Sequence, residues 1–294
     1  MTAWAVMGPV DLFIGPLMQY GFMRMGLAAA VIVGVTSAVL SCLLVVRHQA
    51  LMGDAISHAV LLGVAVGFLV AGSAGILAGA MIVAMGTSVA ITYVERHSTV
   101  KLDAVMGIMF TATFALGLAI ISIAQPRGID LFHILFGNVL GVTRGDLILS
   151  AVSGGVVIAV VGVLFRAFHL WSFDPLMAQS VGMRVGALHY LFTALLSATI
   201  VAALQAVGIV LVIAMLITPG ATALLLTTRL TTMMQVAAAV GLLSAVVGLY
   251  VSYYVNVASG PAIVLVATAC FLLAFVLAPR GGLIPQALAR RSTR

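Results

Sequence analysis

From Leu27 to Val46 the chain is a predominantly apolar run without a charged side chain. A helix needs about 20 such residues to cross the hydrocarbon core of a bilayer. The run does not alternate polar with apolar residues, as the strands of a membrane barrel do. Open sheets and irregular segments cannot face lipid, because their backbone groups would go unpaired. Runs of this kind leave one architecture available, an all-α polytopic bundle of transmembrane helices.

The rest of the chain repeats the pattern. Hydrophobic residues make up 64% of the 294 positions and charged residues only 7%, against about 25% charged in a soluble domain. Apolar segments fall at about 22–46, 54–71, 73–94, 104–124, 146–168, 188–204, 207–227, 232–255 and 260–279, which predicts nine helices. Residues 1–21, with Pro9, Asp11 and Pro16, form an interfacial lead-in. If that stretch spans, or if one segment is re-entrant, the number becomes ten or eight. The whole chain, 1–294, is one transmembrane domain. Two connections, 125–145 and 169–187, are long enough to carry a function.

The net charge of +6 orients this bundle. With the Arg47–His48 loop placed in the cytoplasm, alternation puts Arg96, Lys101, Arg166, Arg184, Arg229, Arg280, Arg290, Arg291 and Arg294 on the same side. Only Arg24, Arg127 and Arg144 fall outside, as the positive-inside rule requires. The C-terminus is then cytoplasmic and, with nine helices, the N-terminus is outside. No Arg/Lys cluster of the kind that binds nucleic acid occurs. Cys42 and Cys270 lie in apolar runs and read as small packing residues. The start of the chain lacks a basic region followed by an apolar one, so no cleaved signal peptide is expected. Gly63 with Gly67, and Gly75 with Gly79, form G-x-x-x-G pairs that allow close helix packing in lipid.

The polar exceptions carry the chemistry, because an ionisable group inside a membrane is costly. In Met52-Gly53-Asp54-Ala55-Ile56-Ser57-His58-Ala59, Asp54 and His58 are four apart and share a helical face. A carboxylate and an imidazole so placed can ligate one divalent cation. The same spacing also fits Asp54 as a helix N-cap after Gly53, with His58 bonded to a neighbouring helix. Ser57 is off that face. Asp130 and His133, three apart in the outer connection, form a second candidate metal pair or a capped interfacial helix. Asp174-Pro175 starts a short cytoplasmic helix, with Asp174 as cap and Pro175 at the first helical position. Gly182 ends it. Such a helix can dock a soluble partner or lie on lipid. Glu95, Arg96, His97, Lys101 and Asp103 read as a solvated loop, with Asp103 opening the next helix as a cap or as the partner of Lys101. Pro219, in Thr218-Pro219-Gly220, bends the helix that contains it. The only lysine, Lys101, follows no phosphate-binding glycine loop, so ATP hydrolysis is not expected of this chain. No H-E-x-x-H or G-x-S-x-G is present, which argues against a metalloprotease or a serine hydrolase. A proton-coupled transporter would need several carboxylates within the spans, where only Asp54 and Asp103 qualify.

At these residues the chain resembles the permease subunits of zinc/manganese/iron ABC importers. Arg47-His48-Gln49-Ala50-Leu51-Met52-Gly53-Asp54-Ala55-Ile56-Ser57-His58-Ala59 is similar to that family's R-x-x-x-L-x-G-D-A-[IL]-S-H-A segment. Phe173, Asp174, Pro175, Ala178 and Gly182 match its F-D-P-x-x-A-x-x-x-G coupling segment. Val207-Gly208-Ile209 through Thr218-Pro219, and Ser259-Gly260-Pro261 with the helix after it, resemble two further segments in the right order. The resemblance implies a type II importer permease in the bacterial inner membrane. It implies a second permease copy around a central pathway and ATP-binding subunits docked through residues 173–184. ATP and magnesium would bind in those subunits, and an extracytoplasmic metal-binding protein would deliver the metal. This chain itself would hold no cofactor and would pass a divalent metal as cargo. Asp54 and His58 would face the pathway. The stretch 130–138 is closer to the manganese/iron branch than to the zinc branch.

Overall fold

The computed structural model describes residues 15–124, residue 17 excepted, and 139–278. Among the described residues all regular structure is helical. Eight stretches are long and apolar enough to cross a membrane. One of them, Ala50–His97, doubles back at the turn Gly72–Ala74 and so contains two helices. The long helices are α1 (Gly21–Val46), α2 (Ala50–Ala71), α3 (Gly75–His97), α4 (Leu102–Ala124) and α5 (Arg144–Val163). Two short helices follow, α6 (Phe165–Phe173) and α7 (Pro175–Ser180). The long series resumes with α8 (Val185–Val207), α9 (Ile209–Leu226), α10 (Leu230–Val255) and α11 (Ser259–Leu277). Each of the nine expected segments corresponds to one long helix.

Two boundaries differ from the apolar pattern. The helix α2 begins at Ala50, with Gln49 at its N-cap, so Asp54 lies in the second turn and is not a cap. Apolarity begins after the polar turn, but the hydrogen-bond ladder already closes at Gln49, whose carbonyl accepts from Met52 N–H at 2.9 Å. The fifth segment does not run on to 168. It breaks at Leu164, and Phe165–Phe173 forms a separate helix. The connection at 169–187 is therefore mostly helical.

Packing explains the order. The most enclosed spans are α1 and α8, while α4 and α5 are the least enclosed. The two G-x-x-x-G pairs close the α2–α3 hairpin. A Cβ at Gly63 would meet the backbone of Gly79 and Ala80, and one at Gly67 would collide with the Gly75 carbonyl. Only glycine admits that approach. Gly72 turns the chain at φ 62°, a region glycine enters at little cost. Hydroxyls tie α8 to its neighbours: Ser197 Oγ reaches Ser88 Oγ of α3 at 3.2 Å, and Ser150 Oγ donates to the Ala202 carbonyl at 3.2 Å. Interhelical bonds of this kind in a bilayer are worth about 0.6 kcal/mol each.

The α1–α9 contact is built around a defect. Pro219 lies inside α9 and has no N–H to give to the carbonyl four residues earlier. Beside it, Ser41 Oγ accepts from Gly220 N–H at 2.9 Å and donates to the Ile217 carbonyl at 3.2 Å. A side chain of α1 thus inserts into the proline-weakened ladder, a known cause of helix bending.

Candidate functional site

The local sequence of α2 sorts its residues onto two faces. Met52, Ile56 and Ser57 are fully buried, and Ser57 Oγ folds back onto the Gly53 carbonyl at 2.7 Å. Gly53 lets the helix approach Leu216 of α9. Asp54 and His58 occupy the other face, where their side chains keep 35% and 21% of their exposure. Asp54 Oδ1 stands 3.3 Å from His58 Nε2. The shared face expected from the i, i+4 spacing is therefore present. His58 is held edge-on by two rings of α4, Phe110 at 4.7 Å and Phe114 at 5.4 Å between centroids. The backbone at Leu61 and Leu62 sits against Gly117 of α4, and this close approach fixes the two rings beside the imidazole. His58 Nδ1 is buried without a hydrogen-bond partner, so Nε2 is the ring atom presented to Asp54.

The spacing suits a shared cation. Two ligands about 2.1 Å from an ion and at right angles to each other stand about 3.0 Å apart. The 3.3 Å separation of the Asp54 and His58 donors needs only a small adjustment to match. Among the described residues, no group of three or more His, Cys, Asp or Glu side chains could hold a metal ion. Asp130 and His133 lie outside the described residues.

At the Arg47 end of the bundle, Asp174 accepts from Met177 N–H at 2.9 Å and caps α7, with Pro175 at its first position. The helix ends at Ser180. Gly182 adopts φ 84°, Gly182 N–H bonds the Gln179 carbonyl and Met183 N–H bonds the Ala178 carbonyl. This is a Schellman ending, which uses glycine because φ is positive. Ala178 is fully buried and anchors the helix, whereas Phe173, Leu176, Met177 and Val181 project into the open, Leu176 with 77% exposure.

One polar assembly was not legible as a unit. Arg47, the C-cap of α1, places its guanidinium carbon 4.6 Å above the Trp171 ring of α6. Trp171 is fully buried among Phe168, His189 and Phe192. Glu95 belongs to α3 rather than to a solvated loop, and its Oε2 lies 3.8 Å from His189 Nε2 of α8. Arg96 covers Tyr190 at 5.5 Å. Burial pushes the Arg47 guanidinium down from its ordinary value, and Glu95 opposes that shift. Arg47 Nε, Glu95 Oε2, Trp171 Nε1 and His189 Nε2 are buried and make no hydrogen bond within the protein. In the sequence the only signal was one arginine, one glutamate, one tryptophan and one histidine at the same ends of four separate apolar runs. Asp103 stands in the first turn of α4, where its charge complements the helix N-terminus.

Among the described residues, a bundle of helices with membrane-length spans marks a multi-pass membrane protein. The chain belongs to the ABC 3 transport family, which it matches over residues 19–278. The manganese transport system membrane protein MntC of Halalkalibacterium halodurans is 48% identical over 280 residues, covering 95% of each chain. The manganese import system permease protein ScaB of Streptococcus gordonii is 42% identical over 268 residues, 91% of this chain and 95% of that one. The structure of PsaBC from Streptococcus pneumoniae in complex with Fab superposes with a TM-score of 0.82 at 38% identity, covering 92% of this chain and 97% of that one. The fold is that of a type II ABC importer permease.

Proposed function

We propose that this chain is the membrane-spanning permease of an ATP-driven importer for divalent transition-metal ions, with manganese as its cargo. The observation that carries this is its near-full-length identity, 48% and 42%, with proteins named for manganese transport. Asp54 and His58 are the pathway contacts. The ion meets one carboxylate oxygen and one imidazole nitrogen, sheds part of its water, and is released because the pair cannot close a shell around it. In a homodimer the pair is doubled across the axis. Asp130 and His133, in the connection between α4 and α5, are secondary metal contacts on the outer side.

The whole chain acts as one permease domain in the bacterial inner membrane. The Arg47 end is cytoplasmic, and the C-terminus lies with it, in keeping with the distribution of basic residues. Through Phe173, Asp174, Pro175, Ala178 and Gly182, α7 docks an ATP-binding subunit, where ATP and magnesium bind. The apolar side chains that α7 exposes suit burial against such a partner. An extracytoplasmic metal-binding protein delivers the ion at the opposite end.

Purification of the tagged chain from its native cells tests the assembly, and uptake of radioactive Mn(II) tests the cargo. An ATP-binding subunit should co-purify, and excess Zn(II) should compete less well than excess Mn(II). Absence of an ATP-binding partner, or uptake of Zn(II) in preference to Mn(II), overturns the corresponding half of the proposal.

A further inference from the structure

We propose that Arg47 and Trp171 are positioning residues that carry movement of α7 to the metal-contacting helix α2. This rests on α7 being the docking helix. The stack joins the two elements by short chain segments. Trp171 lies three residues before Asp174, the cap of α7, and its ring is fully enclosed, so α6 cannot shift without carrying the ring. Arg47 is separated from α2 only by His48 and Gln49. His48 has φ 56°, in the left-handed region that few non-glycine residues adopt. Displacement of the Arg47 guanidinium by the Trp171 ring therefore reaches the start of α2, one turn before Asp54.

The hairpin makes the response collective. Glycine contacts lock α2 to α3 along Gly63, Gly67, Gly75 and Gly79. At its far end α3 carries Glu95 and Arg96, which face His189 and Tyr190 of α8. The Arg47–Trp171 stack and the Glu95–His189 pair thus form one joint across α1, α3, α6 and α8. Hydrogen bonds do not tie its members to one another. Arg47 Nε, Glu95 Oε2, Trp171 Nε1 and His189 Nε2 have no hydrogen-bond partner, and the Glu95–His189 separation of 3.8 Å exceeds a hydrogen bond. Polar groups not hydrogen-bonded to one another can exchange neighbours without breaking a bond between them. Packed elements switch between such arrangements rather than deforming continuously. In the second state, Arg47 slides off the Trp171 face and its guanidinium bonds the Glu95 carboxylate.

The test uses the complete transporter in proteoliposomes, with Mn(II) uptake and ATP hydrolysis measured on the same vesicles. Trp171→Leu and Arg47→Met should retain the ATP-binding subunits and hydrolyse ATP within about twofold of wild type, while Mn(II) moved per ATP falls about tenfold, a coupling loss within the usual range. Trp171→Phe, which keeps an aromatic face, should restore most of the ratio. An unchanged ratio, or a parallel fall in both activities, overturns the joint. If the wild-type chain retains no ATP-binding subunit, the docking assignment falls and takes this inference with it. A second measurement does not depend on disruptive variants. Fluorotryptophan incorporated into a Trp4→Phe permease leaves Trp171 as its only tryptophan, and its fluorine resonance in the complex with unlabelled partners should shift on vanadate trapping with ATP. An unmoved resonance in a transport-competent complex rejects the proposal.

Discussion

Ser41 of α1 and Gly220 of α9, 179 residues apart, share a hydrogen bond of 2.9 Å beside Pro219. A Cβ at Gly220 would fall on the Ser41 hydroxyl and within 2.7 Å of the Ser41 backbone. Gly220→Ala is therefore an overpacking change, expected to destabilise by about 1–3 kcal/mol. Ser41→Ala removes the bridge to the Ile217 carbonyl and should cost about 0.5–1.5 kcal/mol. Thermal unfolding in detergent measures both, and a Gly220→Ala protein as stable as wild type would contradict the tight contact.

The pathway role proposed for Asp54 and His58 requires both side chains. Asp54→Ala and His58→Ala should each lower Mn(II) uptake to the level of cells lacking the transporter, with membrane insertion and ATP-binding-subunit docking intact. Phe114→Leu, which removes one ring that holds the imidazole, should weaken uptake without abolishing it. Normal uptake in both alanine variants would remove the pair from the pathway.

The hairpin glycines should separate sharply from other glycines. Gly67→Val places a branched side chain against the Gly75 backbone, and a loss of about 3 kcal/mol is expected. Gly86, where a Cβ would meet nothing within 4 Å, is the control, and Gly86→Ala should be neutral or slightly stabilising. Protein yield after detergent extraction, with the melting temperature, distinguishes them.

The docking proposed for α7 depends on a helix of 6 residues, too short to persist without its caps. Asp174→Ala should weaken it by about 1 kcal/mol, and Gly182→Val should do more because φ there is 84°. Leu176→Glu leaves the helix intact but places a charge where an apolar partner surface is expected. All three should reduce co-purification of the ATP-binding subunit, Leu176→Glu without any change in the permease's own stability.

Much of this molecule was readable before any tertiary contact was known. Among the described residues, apolar length located the nine long helices, because the bilayer sets a minimum span and that constraint acts on each segment alone. The i, i+4 spacing put Asp54 beside His58 for a similarly local reason. Asp174, Pro175 and Gly182 marked both ends of α7, since capping chemistry is settled within one turn. The errors were local as well. The apolar count missed the break at Leu164, and it began α2 late because hydropathy does not report where the hydrogen-bond ladder closes.

Tertiary structure alone decided which helices are neighbours, and that choice determined the rest. Hydropathy makes every span equally acceptable to lipid. Partner selection instead depends on close backbone approach at a few glycines and on single polar contacts between distant segments. Ser41 with Gly220, Glu95 with His189 and Arg47 with Trp171 are contacts of that kind. None has a spacing along the chain that a periodic pattern could reveal, because each exists only once the bundle has packed.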